Sequence, residues 1–500
     1  MLRDLLLILT LLFIIPSKAM AAEKFEVSYD VNYEVKESGV TMVTQTGYIK
    51  NLVSDFYPTE YKTKFGELKI DNLKARDRLG SQKIIINGEE MVVKFNEKNV
   101  GVGKTYKWTL TYETRDLARK LGRVWEITLP KPAKPEELSE YNVTLTVPKS
   151  FGPPAYLKPP PKNSFSWPKD QIANSGIFAA FGDFQLYSYR LTYHLTNNSL
   201  IPVIEDIALI PTTAYQENYL ESLEPAPWKI FKDFDGNWLA RYILGPRGKL
   251  DVVASGAVSV FIKPRFFDKL PADNSYIQPQ DYWESDDWVI ASIGAKLVSA
   301  KNIYDYVVSS LSYDQSRLDA ELDRLGAVVA LAKPTEALCL EFTDLFVALA
   351  RSAGIPARKI EGYAGTINGK RQPVTLRKDI LHAWPQYYEK NNWRMVDPTW
   401  DKTTGGIDYF DVFDLNHIVF AIHGVDSSRP APAGSYKEST DTKDVLINYR
   451  LELPAENYKL KESIIRPDAK QITAAAVLSG GLFLLLLAGR AFIHRKSKKS

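Results

Sequence analysis

Cysteine is nearly missing from this chain: 500 residues contain one, Cys339. A single thiol forms no internal disulfide, so the fold has to stand on packing, and a composition that is 45% hydrophobic and 12% aromatic supplies the core for it. Histidine is scarce as well, at five residues, and neither His417 nor His423 stands at a strong zinc spacing. No glycine-rich phosphate loop occurs and no basic strip interrupts the interior of the sequence. The formal net charge is +3, which the basic cluster Arg490, Arg495, Lys496, Lys498 and Lys499 more than accounts for. What precedes that cluster is therefore slightly acidic, and there is no case for a nucleic-acid partner.

A lone cysteine outside the cytoplasm is open to oxidation, which leaves two explanations: a small buried hydrophobe, or a reactive group. Its surroundings favour chemistry. Phe342, Leu345, Phe346 and Leu349 recur at the i, i+3, i+4, i+7 spacing of an amphipathic helix that Gly354 and Pro356 end. Lys333-Pro334-Thr335-Glu336 reads as the entering loop, with Thr335 a candidate cap. Cys339 thus falls near a helix N-terminus, where unpaired N–H groups and the macrodipole favour a thiolate.

Further on, His382-Ala383-Trp384-Pro385-Gln386-Tyr387-Tyr388 and Trp393-Arg394-Met395-Val396-Asp397 flank a polar turn at Asn391-Asn392, the pattern of a β-hairpin. A four-residue loop over 389–392 sets His382 opposite Thr399 and diagonal to Asp397, with about 7–8 Å between Cα atoms. A base and the carboxylate that orients it need that separation. Pro385 lacks a ladder donor, so an edge position or a bulge is expected there.

Residues 339–358 (CLEFTDLFVALARSAGIPAR), His382-Ala383-Trp384 and Trp393-Arg394-Met395-Val396-Asp397-Pro398-Thr399, in this order, resemble the core of the transglutaminase-like superfamily of papain-like Cys-His-Asp enzymes. The resemblance covers residues 288–423. It implies Cys339 as nucleophile, His382 as general base and acid, Asp397 as the residue holding the imidazole, and the Cys339 backbone N–H as one oxyanion donor, with a second from an unassigned upstream side chain. Leu338 stands where the family usually has glycine, and Pro385-Gln386 where it tends to have an aliphatic residue and glutamate.

The rest of the chain reads as support and delivery. Arg3, the apolar run 5–15 and Ala19-Met20-Ala21 form a secretory signal at 1–21. The uncharged run 472–489, followed by the basic tail 490–500, reads as a single membrane span with its tail inside. Strand-like alternation between 23 and 267 predicts two all-β, sandwich-like domains, 22–129 and 130–270. An α+β catalytic core follows at 284–425, with helices from Trp288 to Leu331. Residues 426–471 form a linker or stalk with a candidate strand at Val445.

Asp233-Phe234-Asp235-Gly236-Asn237-Trp238 has alternate oxygen ligands but no glutamate at the twelfth calcium-loop position, so a hairpin turn is the better reading. Asp401, Asp408, Asp411 and Asp414 read as a solvated loop, with cation binding the other reading. His194 fits a strand, His494 the tail, and His417 alone competes with His382. Two functions follow. One is a membrane-anchored, extracytoplasmic thiol enzyme that acts on amide bonds of a peptide, protein or cell-surface polymer through an acyl-enzyme, by hydrolysis, deamidation or amine transfer, without cofactor or metal. The other is a non-enzymatic surface binding or structural protein with an inactive core.

Overall fold

The computed structural model describes residues 24–66, 68–268, 274–319, 323–365, 381–404, 407–411, 413–434, 444–454 and 463–464. The expected signal at 1–21, the span at 472–489 and the basic tail lie outside the described residues. Among the described residues no helix is long and apolar enough to cross a membrane.

The chain forms two compact units. The first takes residues up to Tyr33, then Met42–Thr114 and Lys134–Thr144; the second takes Glu34–Thr41, Arg115–Ala133 and everything from Leu145. In the first unit, alternating burial along Phe25–Val35 and Thr105–Thr114 gives each strand one apolar face. These strands belong to a sheet that runs Glu140–Thr146, Phe25–Val35, Thr41–Asn51, Thr105–Thr114, Asp71–Asp77, Gly80–Ser81. A three-stranded sheet, Glu60–Lys64, Glu90–Lys94, Lys83–Asn87, faces it. Aromatic rings fill the space between the sheets: Tyr61 from the smaller meets the buried Trp108 of the larger at 4.6 Å between centroids, and Tyr29 and Phe95 pack on the same indole. Gly47 has to be glycine here, since a Cβ would stand 2.3 Å from the Trp108 indole nitrogen.

The break expected at Leu129 falls elsewhere. Val124–Leu129 pairs with Ala118–Leu121 on one side and with Ile177–Phe181 on the other, in register from Trp125↔Phe181 to Leu129↔Ile177, so this hairpin belongs to the second unit. Long-range strand pairing, which local pattern does not encode, decides the boundary. The same unit holds a sheet Gln216–Glu224, Lys249–Val260, Gln185–Thr196, Val445–Tyr449, in which the last strand arrives from beyond the helical core (Tyr187↔Tyr449, Leu191↔Val445). The stretch 427–434, expected as linker by its Ser, Pro, Ala and Gly content, packs instead: Ala431 bridges Ile207 and Ala433 is buried. Small side chains permit that close approach.

The core's helices start where their caps predict. Asp287 accepts from the backbone N–H groups of Val289 (2.8 Å) and Ile290 to begin Trp288–Leu297, and Ser299 accepts from Asn302 N–H to begin Ala300–Ser310. Gly326–Ala332 follows, then Cys339–Ser352. This last helix differs from the amphipathic expectation by being buried on nearly every face, from Cys339 to Arg351. Its apolar stripe and flanks pack with Trp283, Ile303, Tyr304 and Val307 from the helical side and Tyr387 from the sheet side. Its polar Asp344 is satisfied internally by the Arg324 guanidinium and the Trp283 indole N–H (2.9 Å).

The core sheet runs Asn392–Met395, His382–Glu389, Ala357–Ala364, His417–His423, all antiparallel. The hairpin register is the one the sequence spacing gives, closed by a tighter two-residue turn: Glu389 pairs with Asn392, and Lys390 and Asn391 both adopt positive φ. The strand with Pro385 is interior rather than at an edge. Pro385 O accepts from Val396 N at 3.2 Å just beyond the end of Asn392–Met395, so its donorless nitrogen faces the side where pairing has stopped.

The outer strand His417–His423 is fixed by two side-chain amides from the β region. Gln216 accepts from Val419 N (2.8 Å) and donates to Val419 O (2.9 Å); Asn237 does the same to Ile422 (2.8 and 2.7 Å). Each amide imitates one step of a missing neighbouring strand, and its loss would leave two buried backbone groups unpaired at about 1–3 kcal/mol each. Asp235, from the turn that resembled a calcium loop, accepts from Gly424 N (2.9 Å), Val425 N (3.2 Å) and Tyr276 Oη (2.9 Å), clamping the end of the same strand. On the inner side the ladder bulges at Glu361/Gly362, where a Cβ on Gly362 would lie 2.0 Å from Ile418 O.

Candidate active site

Cys339 is the first residue of its helix and 5% exposed. Thr335 does not cap it; the N-cap is Leu338, whose side chain has no oxygen to offer. Capping is half made from inside: Glu341 accepts from Leu338 N (2.8 Å) and, with its other oxygen, from Leu325 N (3.0 Å). The sulfur therefore sits at the positive end of a fourteen-residue helix.

His382 opens its strand and is 1% exposed. Its Nε2 donates to Asp397 Oδ2 at 2.7 Å. With Nε2 engaged, Nδ1 is the nitrogen left for a further partner, and Cys339 is among the groups that favour the charged form of this imidazole. Burial opposes charge on this ring, yet the Asp397 carboxylate outweighs it and pushes His382 up to about 9. Asp397 is fully buried as the N-cap of Pro398–Thr403; its Oδ1 accepts from Trp400 N at 2.9 Å. Burial works against its ionisation too, but the two imidazoles beside it hold the carboxyl well below the usual carboxylate range.

The second imidazole is His417. Its Nε2 reaches Asp397 Oδ2 at 3.1 Å and its Nδ1 reaches Asp414 Oδ1 at 2.7 Å. It is therefore no competitor of His382 for Cys339. It bonds the same carboxylate oxygen as His382 and stands at the start of the strand that Gln216 and Asn237 hold.

Among the described residues, Asp401, Asp408 and Asp414 each serve a different partner. Asp401 accepts from the Tyr304 hydroxyl at 2.8 Å, Asp408 accepts from Phe410 N, and Asp414 serves His417. Donor atoms of His382, Asp397 and His417 lie within 4.8 Å of one another, which a metal ion could use. Here they are engaged with each other through hydrogen bonds that need the imidazole protons in place. His194 sits on its strand between Asp251 (2.6 Å) and Asp444 (3.0 Å), and His494 lies outside the described residues.

Sequence reasoning left one further group unassigned. Tyr313 bridges Ala337, two residues before Cys339, and its hydroxyl is buried without a hydrogen-bond partner. Burial, then the neighbouring Cys339, pushes the phenol far above its ordinary range, so it stays a neutral O–H donor beside the sulfur. A tyrosine between Ser312 and Asp314, just past the end of a helix, gave no signal of this placement in the sequence.

The residues present are a buried cysteine at a helix N-terminus, an imidazole opening a strand and a carboxylate bonded to that imidazole. Residues 289–398 match the family model of the Transglutaminase-like superfamily. Among solved structures, a proposed cysteine protease from Cytophaga hutchinsonii is 18% identical over 56% of this chain and 95% of that one, with a TM-score of 0.39. The periplasmic domain of TgpA from Pseudomonas aeruginosa is 12% identical over 45% of this chain and 92% of its own, with a TM-score of 0.22. A proposed protease from Parabacteroides distasonis is 11% identical over 81% of this chain and 72% of its own, with a TM-score of 0.19. No curated protein sequence matches the chain.

Proposed function

We propose that the protein is a thiol acyl-transfer enzyme, membrane-anchored with its folded part on the extracytoplasmic side, acting on amide bonds of a peptide, protein or cell-surface polymer. The observation that carries this reading is the buried His382–Asp397 pair at 2.7 Å, with Cys339, at a helix N-terminus, acting on the same imidazole.

In this mechanism the Cys339 thiolate attacks the carbonyl carbon, and the C=O π electrons move to oxygen. The Cys339 N–H, by resemblance to the family, and the buried, unpartnered Tyr313 hydroxyl are the donors this reading assigns to that oxyanion. As the tetrahedral adduct collapses, the C–N bond breaks and the His382 imidazolium gives its proton to the departing nitrogen, leaving a thioester on Cys339. His382, now neutral, takes a proton from water or an amine, which attacks the thioester; the C–S bond breaks and its electron pair leaves with sulfur, restoring the Cys339 thiolate and the imidazolium. Water yields a cleaved peptide or a deamidated glutamine; an amine yields a new amide. Asp397 keeps the imidazole oriented throughout and stays ionised.

A second reading, a surface binding or structural protein with an inactive core, draws on the 5% exposure of Cys339 and on Leu338 beside it. One experiment separates the two. The native chain is incubated with p-nitrophenyl acetate, quenched in acid and mapped by mass spectrometry. An acetyl group on Cys339 is expected, absent after denaturation before mixing; a native chain that carries none favours the binding reading.

A further inference from the structure

His417 has both ring nitrogens on carboxylate oxygens: Nε2 on Asp397 Oδ2 at 3.1 Å and Nδ1 on Asp414 Oδ1 at 2.7 Å. An ionised carboxylate only accepts, and a neutral imidazole has one N–H to give, so the two contacts together call for an imidazolium. Phe413, Trp400 and Trp384 pack around it with ring centroids at 4.5, 4.7 and 5.0 Å, which fixes the ring between its two carboxylates. The ring is wholly buried, on a strand end pinned by side chains from another sheet.

We infer that His417 is a positioning residue of this site: a fixed imidazolium shared between Asp397 and Asp414, it sets how strongly Asp397 holds the His382 ring and how favourable a thiolate at Cys339 is. The inference rests on the reading of Cys339 as nucleophile. It adds two residues to the triad in a chain of alternating charge: Cys339 negative, His382 positive, Asp397 negative, His417 positive, Asp414 negative.

The groups that face this chain come from several elements. Lys158, from Pro154–Lys158, acts on Asp414 and packs its ammonium 3.2 Å from the Tyr409 ring centroid. Asp401 feels Asp397 and Lys158, and Tyr313 feels Cys339 and Asp397. Glu126 accepts from the Asn416 side chain next to His417 at 3.2 Å. Lys158 thus ends the alternation with a positive charge. Burial alone would drive the proton off His417; Asp414, then Asp397, reverse that and push it up to about 9, in line with the geometry.

Asp397 Oδ2 accepts from both imidazoles, so a change of charge at His417 is felt along the whole chain. His417→Gln, which keeps an amide donor but no charge, removes one positive charge from the chain and makes a thiolate at Cys339 less favourable. Asp414→Asn removes one negative charge while Asp397 still holds the imidazolium, and acts in the opposite sense.

The test is the rate of Cys339 alkylation by iodoacetamide across pH, in the native full-length chain and in each variant, with circular dichroism to verify folding. The acid limb is expected to move up by about one pH unit in His417→Gln and down by a similar amount in Asp414→Asn. A merely structural role would change folding or overall rate and leave the limbs in place. Limbs that coincide with wild type, or that move the same way in both variants, overturn the inference, and either folded variant decides it if the other fails to fold. If the wild-type native chain itself shows no acid-side reactivity above the denatured chain, the nucleophile reading falls first and this inference with it.

Discussion

Cys339→Ala is expected to abolish catalysed turnover of p-nitrophenyl acetate, lowering it by at least about 10³-fold to the level of the uncatalysed reaction. The sulfur is the one atom in the chain of events that forms and breaks the covalent bond. With it gone, the donors at Tyr313 and the Cys339 position still face the carbonyl oxygen, but nothing attacks the carbon. Stability moves little by comparison, since alanine removes a single buried atom at the first turn of a helix whose remaining contacts persist; a loss under about 1.5 kcal/mol is expected. Turnover assayed beside thermal unfolding checks both. Substantial residual turnover in a folded Cys339→Ala chain would place the chemistry on another residue.

The second large effect belongs to Asp397→Asn, where a loss of about 10²–10⁴-fold in kcat is expected. The carboxylate accepts three N–H groups, from His382, His417 and Trp400. An amide keeps the shape, yet it offers one acceptor oxygen and turns an NH₂ toward at least one donor, so the His382 tautomer inverts or the ring swings away from Cys339.

The same substitution carries a stability signature. His382 and His417 have folded values of about 9 against an unfolded value near 6.5, so what they contribute is complete below about pH 6.5 and lost as pH rises through about 9. Asp397 and Asp414 are held low, so their side of the interaction is present above about pH 4 and lost as pH falls toward their folded values. These are one set of ion pairs seen from each partner. Wild-type melting temperature is therefore expected to fall between pH 6.5 and 9 more steeply than that of Asp397→Asn, measured by thermal scans at fixed ionic strength. Equal slopes would show that the carboxylate does not hold the imidazoles charged.

The triad was legible because three uncommon conditions coincided: a lone cysteine ahead of a helical repeat, a histidine opening a strand, and an aspartate closing its hairpin partner. The register of that hairpin followed from residue spacing alone, and the structure keeps it while tightening the turn. His417 and Asp414 were visible only as a competitor and a member of an acidic loop, because what joins them to Asp397 is the pairing of His417–His423 with Ala357–Ala364, a contact between strands far apart in sequence. Gln216, Asn237 and Asp235 read as ordinary strand and turn residues; their role depends on which backbone lies across from them. The domain boundary failed for the same reason. Periodicity identifies a strand and its apolar face, whereas the neighbour it chooses is settled by tertiary packing, as Val124–Leu129 and Val445–Tyr449 both show. The helix after Cys339 looked one-sided in sequence since Thr343, Asp344 and Arg351 are polar, and each is buried against a specific partner.

The central claim is that Cys339 is a nucleophile activated by His382, and its most direct test is the rate of Cys339 alkylation by iodoacetamide at pH 6 in three samples: the native chain, the denatured chain and native His382→Ala. The native chain should react at least about tenfold faster than the denatured one, in which an ordinary thiol near 8.5 is almost fully protonated, and His382→Ala should lose most of that advantage. A native chain that reacts no faster than the denatured one, or a His382→Ala chain that reacts as fast as wild type, contradicts the account.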